Sequence, residues 1–81
     1  MSDLILVTSP DCHLCDRARA LLADLAVDYR EVDLADDEAG DLAGAGVPVI
    51  FFPVLVAGTR VLAYGDIGPD EVRRGLAPAA A

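Results

Sequence analysis

Leu4-Ile5-Leu6-Val7-Thr8-Ser9-Pro10-Asp11-Cys12-His13-Leu14-Cys15 is the stretch that decides the fold. Its first five residues are a continuous apolar run rich in β-branched side chains. Ser9-Pro10-Asp11 stops the run, which reads as a strand buried on both faces. Beyond the stop, Leu14, Ala18, Leu21, Leu22 and Leu25 recur at helical spacing, while Asp16, Arg17, Arg19 and Asp24 fall mostly on the other side. A helix is therefore expected from near Cys12 to about Leu25, with the dithiol at its beginning. These two cysteines are the only ones in the chain. A disulfide across two intervening residues closes too short a loop to stabilise the fold appreciably. A closed zinc site collects four Cys, His or carboxylate ligands, and only Cys12, Cys15 and the sole histidine, His13, gather here. Thiol-disulfide exchange asks for less: two thiols within bonding reach, one of them ionised and exposed.

Further along, Val27 to Leu34 returns to strand character with Tyr29 and Val32. The acidic stretch Asp33 to Glu38 then opens a short helical pattern through Leu42 and Ala43, which Gly44 to Gly46 stops. Val54-Leu55-Val56-Ala57 and Arg60-Val61-Leu62-Ala63-Tyr64 flank a turn at Gly58-Thr59 and read as an antiparallel pair. Gly68-Pro69-Asp70-Glu71 begins a last helix with Pro at its first position and acids in its first turn, followed by Val72 and Leu76 on one face and Arg73-Arg74 late. The order is β-α-β-α-β-β-α. Its opening βαβ unit makes two parallel strands by a right-handed crossover. A Cys-x-x-Cys at the first strand-to-helix turn of such a unit is the mark of a thioredoxin-like redox site.

Composition narrows the function classes. The 81 residues are 54% hydrophobic and 25% charged with seven glycines and five prolines, which fits a folded globule. The formal charge is −8, and all six basic residues are arginines. Such a field repels phosphate backbones and anionic membrane surfaces, so no nucleic-acid or membrane partner is expected. No apolar run approaches the ~20 residues of a membrane span, and the first residues go straight into Leu4-Ile5-Leu6-Val7 without a basic region, a long apolar segment or a cleavage site. A cytoplasmic, unprocessed monomer is the expectation.

The motifs in this order resemble the glutaredoxin family of the thioredoxin superfamily. Cys12-His13-Leu14-Cys15 is similar to the family's dithiol, and Val27-Asp28-Tyr29-Arg30-Glu31-Val32-Asp33 to its second strand. Pro53-Val54-Leu55-Val56-Ala57-Gly58 resembles the segment opened by its cis-proline, and Tyr64-Gly65-Asp66-Ile67 the turn into its last helix. The Pro-to-Gly spacing is also similar to that of the small glutaredoxin-like electron donors of ribonucleotide reductase. The resemblance implies an α/β, thioredoxin-like fold with a four-stranded mixed sheet flanked by helices. Residues 1–76 would form one domain and 77–81 a frayed C-terminal tail. Two prolines compete for the cis position. Pro48 would leave Pro53 inside the next strand, where it removes a ladder hydrogen bond, so Pro53 is the expected one. Val47 to Phe52 are then a long apolar loop and a candidate partner surface.

Cys12, nearer the helix start where free N–H groups favour an anion, is the expected nucleophile. Cys15, inside the first turn and buried, is the expected resolving thiol. His13 supports the thiolate if protonated or hydrogen-bonded to it, and is otherwise an exposed side chain without a partner. Asp11 and Asp16 oppose ionisation. The resemblance puts Pro53 beside the dithiol, with the Phe52 backbone free to pair with an extended substrate, and makes Tyr64, Gly65 and Asp66 the substrate- or thiol-binding residues. Tyr64 and Tyr29 otherwise read as half-buried aromatics. Asp36-Asp37-Glu38 is suited to a helix start without any ion, so no metal and no bound cofactor are expected. Gly44-Ala45-Gly46 is too short for a dinucleotide loop.

The electron donor is left open. Glutathione-using members commonly carry a Lys or Arg three residues before the first cysteine, and Ser9 stands there instead. Gly65 and Asp66 match partners of the γ-glutamyl end, yet a chain of charge −8 offers an anionic tripeptide no long-range attraction. Glutathione, another low-molecular-weight thiol and a thioredoxin-type reductase are all consistent donors. Three functions follow. The first is an oxidoreductase reducing protein or mixed disulfides. The second is a binding module in which Cys12 anchors a bridging iron–sulfur cluster with added ligands. The third is a non-catalytic adaptor using the Val47 to Phe52 loop.

Overall fold

Alternation along one strand sorts the core into two faces. In the computed structural model, which describes residues 4–47, 51–58 and 60–76, the first strand β1 (Leu4–Thr8) is buried at every position. Leu4 and Leu6 face one cluster with Ala18, Leu22, Leu55 and Val72, whereas Ile5 and Val7 face another with Val32, Ala39, Leu42 and Val54. A strand covered on both faces must be central, and it is. The sheet order is β2-β1-β3-β4, with β2 at Arg30–Asp33, β3 at Val54–Ala57 and β4 at Arg60–Tyr64. β2 runs parallel to β1, whereas β3 is antiparallel to β1 and to β4. Helices α1 (His13–Asp24) and α3 (Pro69–Leu76) supply Leu22 and Val72 to the first face, and α2 (Asp37–Gly44) supplies Ala39 and Leu42 to the second. This is the thioredoxin-like α/β arrangement, a mixed four-stranded sheet with three helices in the order β-α-β-α-β-β-α.

Two helices end in the same way. After α1, Val27 N–H donates to the Leu22 carbonyl and Ala26 N–H to that of Ala23; after α2, Val47 donates to Leu42 and Gly46 to Ala43, all at 3.0 to 3.1 Å. Both are Schellman ends, closed by the apolar contacts that accompany them. Val47 and Leu42 lie in one cluster, and Val27 packs on the cluster that holds Leu22. Gly46 takes the left-handed position at φ +97, and Ala26 takes the equivalent one at φ +54.

Some expectations shift. The second strand is shorter than Val27 to Leu34, because Val27 is spent on closing α1. Val47, expected in an exposed loop, is 3% exposed and belongs to the core. Tyr64, expected half-buried, is 54% exposed, since it ends the edge strand β4. Pro48, Thr59 and the 77–81 tail lie outside the described residues.

Candidate functional site

The register gathers the expected site residues at one end of the sheet. Asp33 on β2 is opposite Thr8 on β1, and Val54 on β3 is opposite both Val7 and Tyr64. The turn that carries Cys12 follows Thr8, Pro53 precedes Val54, and Gly65-Asp66 follow Tyr64. Ends of all four strands therefore lie at the end of the sheet where the dithiol follows β1. Gly65 N–H donates to the Pro53 carbonyl at 2.9 Å, tying two of these segments together.

Asp11 enters α1 with φ +54, a left-handed conformation that Asp tolerates better than most side chains. It delivers Cys12 as the N-cap in an extended conformation (φ −101, ψ 105). Cys12 Sγ accepts the Cys15 backbone N–H at 3.0 Å, taking up one of the donors that a helix start leaves without a partner. Cys12 is half-buried, whereas Cys15 is completely buried. The two sulfurs are joined as a disulfide across a Cα–Cα distance of 5.2 Å. The pair is thus joined, with the half-buried Cys12 in front and the fully buried Cys15 behind it.

His13 is exposed, and among the described residues no hydrogen bond or ion pair engages its side chain. The Phe52–Pro53 peptide is cis and Pro53 is buried. No hydrogen bond ties the Phe52 backbone to another described residue. Phe52 packs its ring on the core, leaving Phe51 as the exposed aromatic of that segment. Phe51 lies with its ring centroid 5.7 Å from that of Tyr64. Asp66 faces Arg17 of α1 at 3.6 Å.

Chemistry-bearing neighbours that the motif did not flag lie on the β2 side. A cleft of about 530 Å³ reaches from Cys12 and His13 to Asp16, Arg19 and Asp33. Arg19 donates to both Glu31 oxygens, from Nε at 2.7 Å and NH2 at 3.0 Å, and from NH1 to Asp16 at 2.6 Å. These hydrogen bonds hold the Glu31 carboxyl below its ordinary range and raise Arg19 above its own. Helical spacing foreshadows the placement of Arg19, since it stands four residues after Cys15 and so on the same side of α1. Asp33 carries no such signal, because only the β1–β2 register brings it to the dithiol. Its Oδ1 accepts the Ala35 N–H. The acidic run beyond it serves the start of α2, where Asp36 is the N-cap and Glu38 pairs with Arg30. No group of three or more His, Cys, Asp or Glu side chains among the described residues is placed to hold a metal. No helix among them is long and apolar enough to cross a membrane.

The family model described as Glutaredoxin matches residues 4–59, a span that covers β1, the dithiol, cis-Pro53 and β3. The chain belongs to the glutaredoxin family. No curated protein matches it. Membership in the glutaredoxins accounts for a Cys-x-x-Cys at the first helix start and supports a thiol-disulfide oxidoreductase at the level of the family. The matched span stops before Tyr64, Gly65 and Asp66, so in this glutaredoxin those three residues are assigned by resemblance and by their position at the sheet end.

Proposed function

We propose that this chain reduces protein or mixed disulfides by a dithiol mechanism, with Cys12 as attacking thiolate and Cys15 as resolving thiol. The observation that carries the reading is the asymmetry of the pair. Cys12 is half-buried, lines the cleft and holds a backbone N–H on its Sγ at 3.0 Å, whereas Cys15 is fully buried. In the reduced protein, the Cys12 thiolate attacks one sulfur of the substrate disulfide, forms a mixed disulfide and expels the other sulfur as a thiolate. Cys15 then gives up its proton and attacks Cys12 Sγ, which forms the Cys12–Cys15 disulfide and releases the second substrate sulfur. Two electrons pass to the substrate, and the released thiolates take up one proton from Cys15 and one from solvent. Two molecules of a small thiol such as glutathione, or a thioredoxin-type reductase, restore the dithiol, and no bound cofactor takes part. A cytoplasmic setting supplies such donors.

In this reading His13 supports the Cys12 thiolate from its exposed position. Phe52 offers its backbone beside Pro53 to an extended substrate, while Tyr64, Gly65 and Asp66 form the binding edge across from it. Glutathione use is weakened by Ser9, which brings no cation, and by Asp66, which already faces Arg17. The cluster-binding alternative needs ligands from outside the described residues.

The test is equilibration in a series of glutathione redox buffers, with thiols alkylated and weighed by mass spectrometry. A reversible two-electron transition between about −150 and −280 mV is expected. If no Cys12–Cys15 disulfide forms anywhere in the series, the dithiol mechanism is excluded.

A further inference from the structure

Negative charge gathers beside the dithiol, and exposed aromatic surface gathers toward β4 at the same sheet end. On the β2 side the cleft that opens onto Cys12 carries three carboxylates, Asp11, Asp16 and Asp33, against one guanidinium, Arg19, and one imidazole, His13. That guanidinium is already shared between Asp16 and Glu31. Asp11 and Asp33 pair with no cation among the described residues. On the β4 side stand Phe51 and Tyr64, 59% and 54% exposed, with their rings together. A molecule whose disulfide reaches Cys12 therefore meets the negative cleft beside that sulfur, and the aromatic pair lies along the same sheet end, where β3 and β4 meet.

We propose that the preferred substrate is a polypeptide disulfide with a basic side chain beside one half-cystine and an apolar one on the opposite flank. The inference rests on the oxidoreductase reading and specifies its substrate class. A lysine or arginine on the β2 flank enters the cleft and meets Asp11 and Asp33, whose charge no arginine neutralises. The apolar neighbour lies on the Phe51–Tyr64 pair. Anionic small disulfides gain neither contact and are repelled by the cleft. The chemistry is the exchange described above, unchanged in its bonds and electrons, so the selection acts on encounter and orientation. Clefts lined with one sign of charge raise association rates of the opposite sign by roughly 10- to 1,000-fold.

The experiment uses two peptide disulfides identical except for Lys or Glu beside the half-cystine, each with leucine on the other flank. Second-order rates of their reduction by the fully reduced protein are measured and divided by the rates with dithiothreitol, which removes the intrinsic reactivity of each peptide. The Lys peptide is expected to be favoured by at least about tenfold at low ionic strength. That preference should fall toward unity near 0.5 M salt, where the Debye length is only about 4 Å. It should also fall in the Asp11→Asn/Asp33→Asn variant. Asparagine tolerates the left-handed backbone at position 11 and keeps an acceptor for Ala35 N–H at position 33. The Lys-to-Glu ratio cancels any change the substitutions make to Cys12 itself. A normalised ratio near one in the unsubstituted protein, or a ratio indifferent to salt, overturns the inference while leaving the oxidoreductase reading intact. Failure to reduce either peptide removes that reading, and this inference with it.

Discussion

Cys15 turns its backbone N–H onto the sulfur of Cys12 at 3.0 Å, so the less buried member of the pair is held by the residue that later displaces its substrate. The bond strengthens when Cys12 carries a negative charge, and the helix start adds to it. Cys12→Ser removes the attacking sulfur and should reduce turnover to background. Cys15→Ser leaves the N–H donor in place but no resolving thiol, so the first half of the exchange should proceed and stop. Mass spectrometry after mixing with substrate should find a stable mixed disulfide on Cys12 in the second variant and none in the first. Full activity in Cys12→Ser would reverse the roles.

Asp11 precedes that sulfur in the chain and works against the thiolate. Asp11→Asn removes the charge while keeping a side chain suited to φ +54. Alkylation of the reduced variant by iodoacetamide, followed against pH, should have its midpoint at lower pH than in the unsubstituted protein, because a nearby like charge disfavours the thiolate. A midpoint that stays put or rises would mean that the Asp11 charge is not felt at Cys12.

The order of elements was legible because each carried its own period. The Leu4-to-Thr8 run, the Leu14-to-Leu25 stripe and the two β-rich runs about Gly58 are local signals, and each became the element it indicated. The cis-proline was legible for a similar reason, since an unbroken β3 can start only after Pro53. What the residues could not give was lateral placement. Asp33 comes to the dithiol through the parallel register of β2 with β1, a pairing 25 residues long in sequence (Thr8 to Asp33). Phe51 meets Tyr64 only once β3 and β4 have paired. Val27 looked like the first residue of a strand because Val is β-branched, and it became the closing residue of α1 because Leu22 offered it both a carbonyl and an apolar contact.

Phe51 exposes an aromatic ring that no core requirement explains. Phe51→Ala should leave reduction of a small neutral disulfide such as hydroxyethyl disulfide unchanged, because that molecule touches only the dithiol. Reduction of a polypeptide disulfide with a leucine flank should slow in kcat/KM by roughly three- to tenfold, the loss of one aromatic contact. Equal slowing of both substrates would indicate that Phe51 holds the sheet end in shape and does not bind.

Ala26 and Gly46 occupy the same left-handed position in two equivalent helix ends, and only Gly46 does so without a Cβ penalty. Ala26→Gly should therefore stabilise the fold by about 0.5 to 1 kcal/mol, less strain set against more freedom in the unfolded chain. The opposite exchange in α3 should fail. A Cβ at Gly75 meets Leu62 Cβ and Cδ1 at 3.0 Å, and Leu62 Cβ is fixed to the β4 backbone. Gly75→Ala should cost about 1 kcal/mol or more by overpacking, despite the better helix propensity of alanine. Urea unfolding at neutral pH reads both changes.

Glu31 joins β2 to α1 through Arg19, and this link should be visible in acid. The two Arg19 hydrogen bonds hold the Glu31 carboxyl below 4.5 in the folded chain. The unfolded chain, with this carboxyl near its ordinary value, therefore binds the proton first as pH falls. Stability from this group is complete above about 4.5 and is lost as pH drops through the folded value. Both side chains are more than a third exposed (37% and 38%), so solvent screening limits the contribution to about 0.5 to 1 kcal/mol. Glu31→Gln should lower stability by that amount at pH 7 and by nearly nothing at pH 2.5. Unfolding curves for both proteins at the two pH values check this, and a deficit that persists undiminished in acid would assign the loss to packing instead of charge.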